Sequence, residues 1–76
     1  MKPKEGDRVA ITEDLKIGPN VESQKGTVTK GTEGTLEEDG MDIMLDRVRL
    51  DTPLVTPSGH RYETIPVSKS KISKVD

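Results

Sequence analysis

Apolar and polar residues alternate in short runs along most of the chain, which is the pattern of half-buried β-strands. In the run Asp7–Thr12, for example, Val9 and Ile11 share one side, and Arg8 lies on the other. No segment sustains apolar residues at the i, i+3, i+4 and i+7 spacing of an amphipathic helix. The pattern therefore predicts an all-β protein.

The alternating runs predict five strands with turns between them. The strands are Asp7–Thr12, Thr32–Glu38, Met41–Leu50, His60–Val67 and Ile72–Val75. A long loop from Leu15 to Gly26 is expected after the first strand, followed by a short strand piece at Thr27–Thr29. A short turn of 3₁₀ type is expected at Ser68–Ser70, before the last strand.

Glycine, proline and a phase change predict where the strands bend. Gly34, inside the second strand, indicates a bulge, a bend or a close backbone approach. The alternation shifts by one residue near Asp46–Arg47, which predicts a bulge or a second bend. Pro53 cannot donate to a strand ladder and belongs at an edge or bulge. The sequence Thr56–Gly59, "TPSG", is a strong β-turn signal.

Length and composition limit the core. The chain has 76 residues, which predicts one domain spanning residues 1–76. Apolar residues make up only 29%, and Tyr62 is the one aromatic residue apart from histidine. A domain this small buries about 60% of the surface that its unfolded chain exposes. We therefore expect a thin aliphatic core, or a partner that covers part of it.

The residue types also exclude several kinds of chemistry. The chain has no cysteine, which excludes disulfides and cysteine-type metal sites, and its single histidine, His60, excludes a multi-histidine site. No apolar run approaches the roughly 18 residues of a membrane span, and the N-terminal sequence lacks the apolar region of a secretory signal. We expect a soluble cytoplasmic protein without metal or cofactor.

Four stretches resemble an SH3-like barrel: "GDRVAIT", "KGTEGTLEE", "DIMLD" and "IPVSKSKISKV". Their order is strand, long loop, bent hairpin, strand, 3₁₀ turn and last strand. The middle resembles the KOW motif of ribosomal and transcription-associated proteins. The overall form is similar to small photosynthetic accessory subunits, such as the ferredoxin–thioredoxin reductase variable chain and the photosystem I E subunit.

The resemblance implies a five-stranded antiparallel barrel in which the first and last strands pair. It also implies a long loop after strand one and, through residues 47–60, an extended hairpin between strands three and four. That hairpin is longer than the simplest barrels need. It sets this chain apart and directs attention to its side chains.

The extended hairpin carries the residue types that are enriched at protein interfaces. These are Arg47, Arg49, His60, Arg61 and Tyr62. The leading hypothesis is a non-enzymatic accessory or adaptor module that docks on a larger protein through them. Two alternatives stay open: the arginines pair with neighbouring acids (Asp46, Asp51 and Glu63), and Tyr62 lies in the core with its hydroxyl at the surface.

Lysines near the two termini give a second hypothesis. They are Lys2, Lys4, Lys69, Lys71 and Lys74, and Arg8 lies among them. Pairing of the first and last strands would bring them together into a basic pole able to bind RNA or DNA in the manner of KOW domains. Against this, the net charge is −2, aromatic residues for base stacking are lacking, and exposed lysines also serve solubility.

The acidic residues and the search for catalytic motifs give less information about function. The acids Glu33, Glu37, Glu38, Asp39 and Asp42 lack the spacing of a calcium loop and are expected to form a solvated hairpin tip. No Gly-x-Ser-x-Gly elbow or phosphate loop is present. The run Thr64–Val67, "TIPV", faintly resembles a run in the type II plasmid dihydrofolate reductase, an oligomeric SH3-like enzyme, but lacks its aromatic residue. We expect no enzyme activity, and a small oligomeric enzyme of that kind is the third hypothesis.

Overall fold

The structure of the protein is a computed structural model that describes residues 3–19, 24–40 and 45–75. Within these ranges the chain forms β-strands and short 3₁₀ structure but no α-helix, which confirms the prediction of an all-β protein. The strands are β1 (Arg8–Ile11), β2 (Leu15–Ile17), β3 (Gly26–Val28), β4 (Glu33–Glu38), β5 (Asp46–Val55), β6 (Arg61–Val67) and β7 (Ile72–Lys74). The 3₁₀ turn, Lys69–Lys71, lies between β6 and β7, as expected from the sequence.

The strands form two antiparallel sheets. The larger has the order β6-β5-β4-β1-β7, and the smaller pairs β2 with β3. Strand β1 is paired on both sides, because Val9 faces Gly34 of β4 on one side and Lys74 of β7 on the other. The expected pairing of the first and last strands is therefore confirmed.

The predicted long loop contains strand β2, which pairs with β3, the short strand piece expected at Thr27–Thr29. Leu15 of β2 pairs with Val28 of β3, and Ile17 pairs with Gly26. Each strand has three residues, which is too short to give a clear alternation in the sequence. The pairing buries the side chains of Ile17 and Val28.

Closure of the sheet into a ring is not seen among the described residues. No ladder joins β6 to β7, so these two strands are the edges of the five-stranded sheet. The β2–β3 sheet supplies Ile17 and Val28 to the core of the larger sheet. The shown architecture is thus two antiparallel sheets around one core.

The core is aliphatic, as the composition predicts. Its buried members are Val9, Ile11, Ile17, Val28, Leu36, Val48, Leu50, Ile65, Val67 and Ile72. Leu15, Leu54 and Tyr62 are partly buried against it. Alternate residues of each long strand point inward, which is the strand periodicity expected from the sequence.

Gly34 marks a close backbone approach, one of the three possibilities that its position predicts. A Cβ atom at Gly34 would lie 2.4 Å from the carbonyl oxygen of Arg49 and 3.0 Å from Cγ1 of Val48. Any larger residue would push β4 away from β5. The glycine therefore allows the tight packing of the two central strands.

The predicted bulge lies on the opposite strand. In the ladder, Leu36 faces Val48 and Glu38 faces Arg47, so the additional residue, Glu37, belongs to β4. The prediction near Asp46–Arg47 was therefore right about the position along the ladder and wrong about the strand.

The third predicted strand extends further towards the C-terminus than its predicted end at Leu50. Strand β5 begins at Asp46 and continues to Val55, and residues 41–44 lie outside the described residues. Asp46 points inward together with Val48 and Leu50 and is 1% exposed. Leu45 is on the outside and is 57% exposed. The phase change in the sequence thus corresponds to an acid in an inward position.

Candidate protein-interaction site

A wide bulge separates the two parts of the β5–β6 hairpin. Arg49 faces Thr64, whereas the next paired residue, Leu54, faces Tyr62. Residues 50–53 of β5 therefore lie opposite the single residue Glu63 of β6. Pro53 is among the unpaired residues, which confirms its predicted place in a bulge. Such a bulge bends the hairpin and redirects the side chains beyond it.

The end of the hairpin is fixed by the predicted turn. The Gly59 amide donates to the Thr56 carbonyl oxygen at 2.9 Å, and the Thr56 amide donates to the His60 carbonyl oxygen at 2.9 Å. The His60 amide donates to Oγ1 of Thr56 at 3.1 Å. Gly59 has a φ of 88°, a conformation that glycine adopts without steric cost. These bonds give the turn a defined shape.

Tyr62 connects this hairpin to the smaller sheet. Its ring is partly buried against the core, and its hydroxyl donates to the Gln24 carbonyl oxygen over a long 3.5 Å. The neighbouring Leu54 packs beside Gly26, where an added Cβ would lie 2.7 Å from Cδ2 of Leu54. His60 lies against Tyr62 with the ring centroids 6.4 Å apart. The hairpin and the β2–β3 sheet thus support each other.

Arg61 and Val55 face each other in the ladder and both point to solvent. Val55 is 60% exposed, slightly more than Leu45 at 57%. Among the described residues, Arg61 has no ion pair. We call the group Val55, His60, Arg61 and Tyr62 the hairpin end. It combines an aliphatic side chain, two rings and an uncompensated cation.

Arg47 and Arg49 lie on the other side of the bulge. They point outward from β5, opposite Pro66 and Thr64, and each meets an acid of β4. Arg49 Nε lies 2.5 Å from the Glu37 carboxylate, and the hydrogen bond between them raises the pKa of Arg49. Arg47 Nε lies 3.8 Å from Glu38. The structure therefore separates the five predicted residues. Arg47 and Arg49 lie on one side of the bulge, and His60, Arg61 and Tyr62 lie on the other.

Arg8 extends the same outer charge pattern to β1. Its guanidinium donates two 2.6 Å hydrogen bonds to Asp51 and approaches Glu33 at 3.3 Å. The Asp51 hydrogen bond raises the pKa of Arg8, and the same bond lowers the pKa of Asp51. We call Arg8, Arg47, Arg49 and their acids the outer arginine network. Arg47 and Arg49 thus pair with acids, but with Glu38 and Glu37 of β4 and not with the acids named from the sequence. Of those acids, Asp51 pairs with Arg8 and Asp46 with Lys69.

Lys69 is bound to two acids. Its ammonium donates to Asp39 and, at 2.8 Å, to Oδ1 of Asp46, and these hydrogen bonds raise its pKa. The Gly40 amide also donates to Asp46 Oδ1, at 2.8 Å. Because Asp46 is buried, Lys69 neutralises a charge that water does not reach. This contact joins the 3₁₀ turn to the start of β5.

The other lysines of the predicted basic pole are also interleaved with acids. Lys71 pairs with Glu13, and Lys74 lies 3.9 Å from Asp7. The Lys4 amide donates to Asp7 at 2.8 Å, and no ion pair of its ammonium is recorded among the described residues. Lys2 lies outside the described residues. The pairing of β1 with β7 therefore brings these lysines to a surface that also carries their counter-charges.

The predicted acidic tip is distributed among these contacts. Glu33, Glu37, Glu38 and Asp39 each meet an arginine or a lysine, and Asp42 lies outside the described residues. In the described ranges, no group of three or more histidine, cysteine or acidic side chains is arranged to hold a metal ion. The described part of the chain also has no helix that is long and apolar enough to span a membrane.

Comparison with known proteins finds no relative of this chain. No protein-family model matches the chain, and no curated protein or solved structure is similar to it. The function must therefore be argued from the chain's own geometry.

Two features were missed in the sequence. The exposure of Val55 follows from the bulge, and the number of unpaired residues in a bulge is not encoded in the alternation. The Asp46–Lys69 contact had a signal, since Asp46 has the same parity as Val48 and Leu50. An acid in an inward position requires a cation or several donors.

Proposed function

We propose that this chain is a non-enzymatic accessory or adaptor module that binds a larger protein through the hairpin end. One observation carries the proposal. Arg61 is exposed beside the exposed Val55 and has no ion pair among the described residues, whereas the other three arginines of the chain form ion pairs with acids. Arginine and aromatic residues next to apolar surface are the usual centres of protein interfaces.

The rigidity of the hairpin end supports this use. The turn is closed by its own hydrogen bonds, and Tyr62 is held against Gln24 and the core. A surface that is ordered before binding loses little conformational entropy when a partner arrives. The partner that fits is a protein surface with an acid for Arg61 and an apolar contact for Val55.

We further propose an SH3-like arrangement for the fold. The supporting observations are the strand order, the β2–β3 excursion after β1, the bulged β4–β5 pair, and the 3₁₀ turn before a last strand that pairs with the first. These are the elements that the resemblance implies. The fold does not determine the function, which depends on the hairpin end.

The test compares two pairs of substitutions in the tagged full chain. The hairpin-end variant is Val55→Ser with Arg61→Ala, and its matched control is Arg47→Ala with Arg49→Ala in the outer arginine network. Proteins captured from a native extract are quantified by mass spectrometry, and those captured by wild type are then purified and titrated. We expect a partner that the control retains and the hairpin-end variant loses. Equal affinity of a purified partner for both variants would overturn the proposal.

The nucleic-acid and enzyme hypotheses stay predictions. The ion pairs of Lys69, Lys71 and Lys74 reduce the positive charge that this surface offers to phosphate. A titration with structured RNA and duplex DNA at low salt tests the first, and a dihydrofolate reductase assay tests the second.

A further inference from the structure

Strand β6 offers an unused edge. It has seven residues, pairs with β5 on one side, and has no described strand on the other. The opposite edge of the sheet, β7, has only three residues. An edge strand presents free backbone donors and acceptors and is a template for another strand.

The turn indicates which backbone groups face this edge. The Thr56 amide donates to the His60 carbonyl oxygen, so the backbone of His60 faces β5. Tyr62 pairs with Leu54 in the same register. Because backbone groups alternate in direction along an antiparallel strand, those of Arg61 and Glu63 face the free edge.

We propose that β6 pairs antiparallel with β6 of a second copy of this chain, with the two-fold axis at Tyr62. In this register Arg61 lies opposite Glu63 of the second copy, and Glu63 lies opposite its Arg61. Each pair also exchanges two backbone hydrogen bonds. Tyr62 meets its own counterpart at the axis. A two-fold interface of this kind closes at two chains and does not continue into a fibre.

The charges of Arg61 and Glu63 determine which chain can pair with β6 and in which register. Arg61 and Glu63 are exposed, of opposite sign and two residues apart, and Arg61 has no ion pair among the described residues. Opposite charges across a strand pair are stabilising, whereas like charges are destabilising. Moving the axis to Arg61 or to Glu63 would place like charges opposite each other. Only the axis at Tyr62 places an opposite charge across from both Arg61 and Glu63.

The pairing is independent of the proposed function, because it requires nothing besides the chain itself. Both use Arg61, so a chain paired in this way presents Arg61 to its copy and not to a larger partner. The dimer would therefore compete with docking. Measurements on the purified protein alone address the pairing, and the capture experiment addresses the docking.

Sedimentation velocity over a concentration series tests the pairing by charge reversal. We expect wild type to associate to a dimer, and Arg61→Glu or Glu63→Arg to weaken the association by about tenfold or more, since each places like charges opposite each other twice. The double variant, Arg61→Glu with Glu63→Arg, restores the opposite pairs and is expected to associate like wild type. Lys16→Glu, an exposed charge reversal on β2, is the control and leaves the association unchanged.

The double variant also distinguishes lost pairing from lost folding. Restored association shows that the single variants failed through charge and not through misfolding, and a circular dichroism spectrum of each variant is recorded alongside. The proposal is overturned if wild type is monomeric throughout the series. It is equally overturned if the double variant associates no better than the single ones.

Discussion

The outer arginine network and the hairpin end carry the same residue type in opposite circumstances. Arg8, Arg47 and Arg49 each lie beside acids, whereas Arg61 has no ion pair among the described residues. The reason lies in the ladder between β4 and β5, which ends where Gly34 faces Leu50. Beyond this point β5 and β6 continue without the acid-bearing β4 beside them.

This difference shows what distinguishes a candidate interface from a charged sheet face. Arginine alone does not, since three of the four arginines are bonded within the chain. The distinguishing features are a cation without a counter-charge and a neighbouring aliphatic side chain that is mostly exposed, as Val55 is. Pairs of exposed charges contribute little to stability, so the outer arginine network gives solubility and strand register more than free energy.

Two glycine substitutions, one in each region, have the largest expected effect on the free energy of unfolding. Gly34→Ala places a Cβ 2.4 Å from a backbone oxygen and must separate β4 from β5, which we expect to cost about 3 kcal/mol. Gly59→Ala in the turn meets open space and bears only the strain of a positive φ, about 1 kcal/mol. Urea unfolding measures both. Equal losses would show that close packing does not separate the regions.

Lysine substitutions extend the comparison to buried and exposed counter-charges. Lys69→Met leaves the buried carboxylate of Asp46 without its cation, and we expect a clearly lower unfolding temperature. Lys71→Met leaves the exposed Glu13 and is expected to unfold close to wild type. Thermal unfolding followed by circular dichroism compares them. The idea fails if the two variants unfold at the same temperature.

Acid titration tests the contact between Arg8 and Asp51 in the outer arginine network. The hydrogen bond from Arg8 lowers the pKa of Asp51 below its ordinary value of 3.8. Its contribution to stability is therefore present above that value and is lost as the pH falls through the lower pKa of the folded state. Arg8→Ala should return the pKa of Asp51 towards 3.8, as measured by carboxyl NMR. Arg61→Ala is the control and should leave the Asp51 titration unchanged.

Tyr62→Phe has the smallest expected effect. It removes a single long hydrogen bond to Gln24 and keeps the packed ring, so we expect a loss of about 0.5 kcal/mol. Tyr62→Ala, which also removes the packing against Leu54, should cost several times more. Urea unfolding of the two variants separates the hydrogen bond from the ring. Similar losses would show that the hydroxyl, and not the ring, holds the hairpin end.

The alternation of residues predicted the strands of the larger sheet, because each exposes one face and buries the other. It failed for β2, whose three residues are too few to show a period, whereas β3 corresponds to the short strand piece expected at Thr27–Thr29. The turn at Thr56–Gly59 was predictable since proline and glycine determine local backbone angles. The sequence did not predict which arginines pair with an acid, because the register of the strands across β4 determines the partners. Arg49 meets Glu37 only through the bulge in that strand.

The pairing of β1 with β7 has a consequence for the rate of folding. Val9 and its partner Lys74 lie far apart in the chain, and closing so long a loop has an entropic cost that local turns do not share. Proteins that depend on such distant pairings fold slowly. Until β7 arrives, one side of β1 remains open to other chains. The protein is therefore most prone to aggregate while it folds, even when its native state is stable.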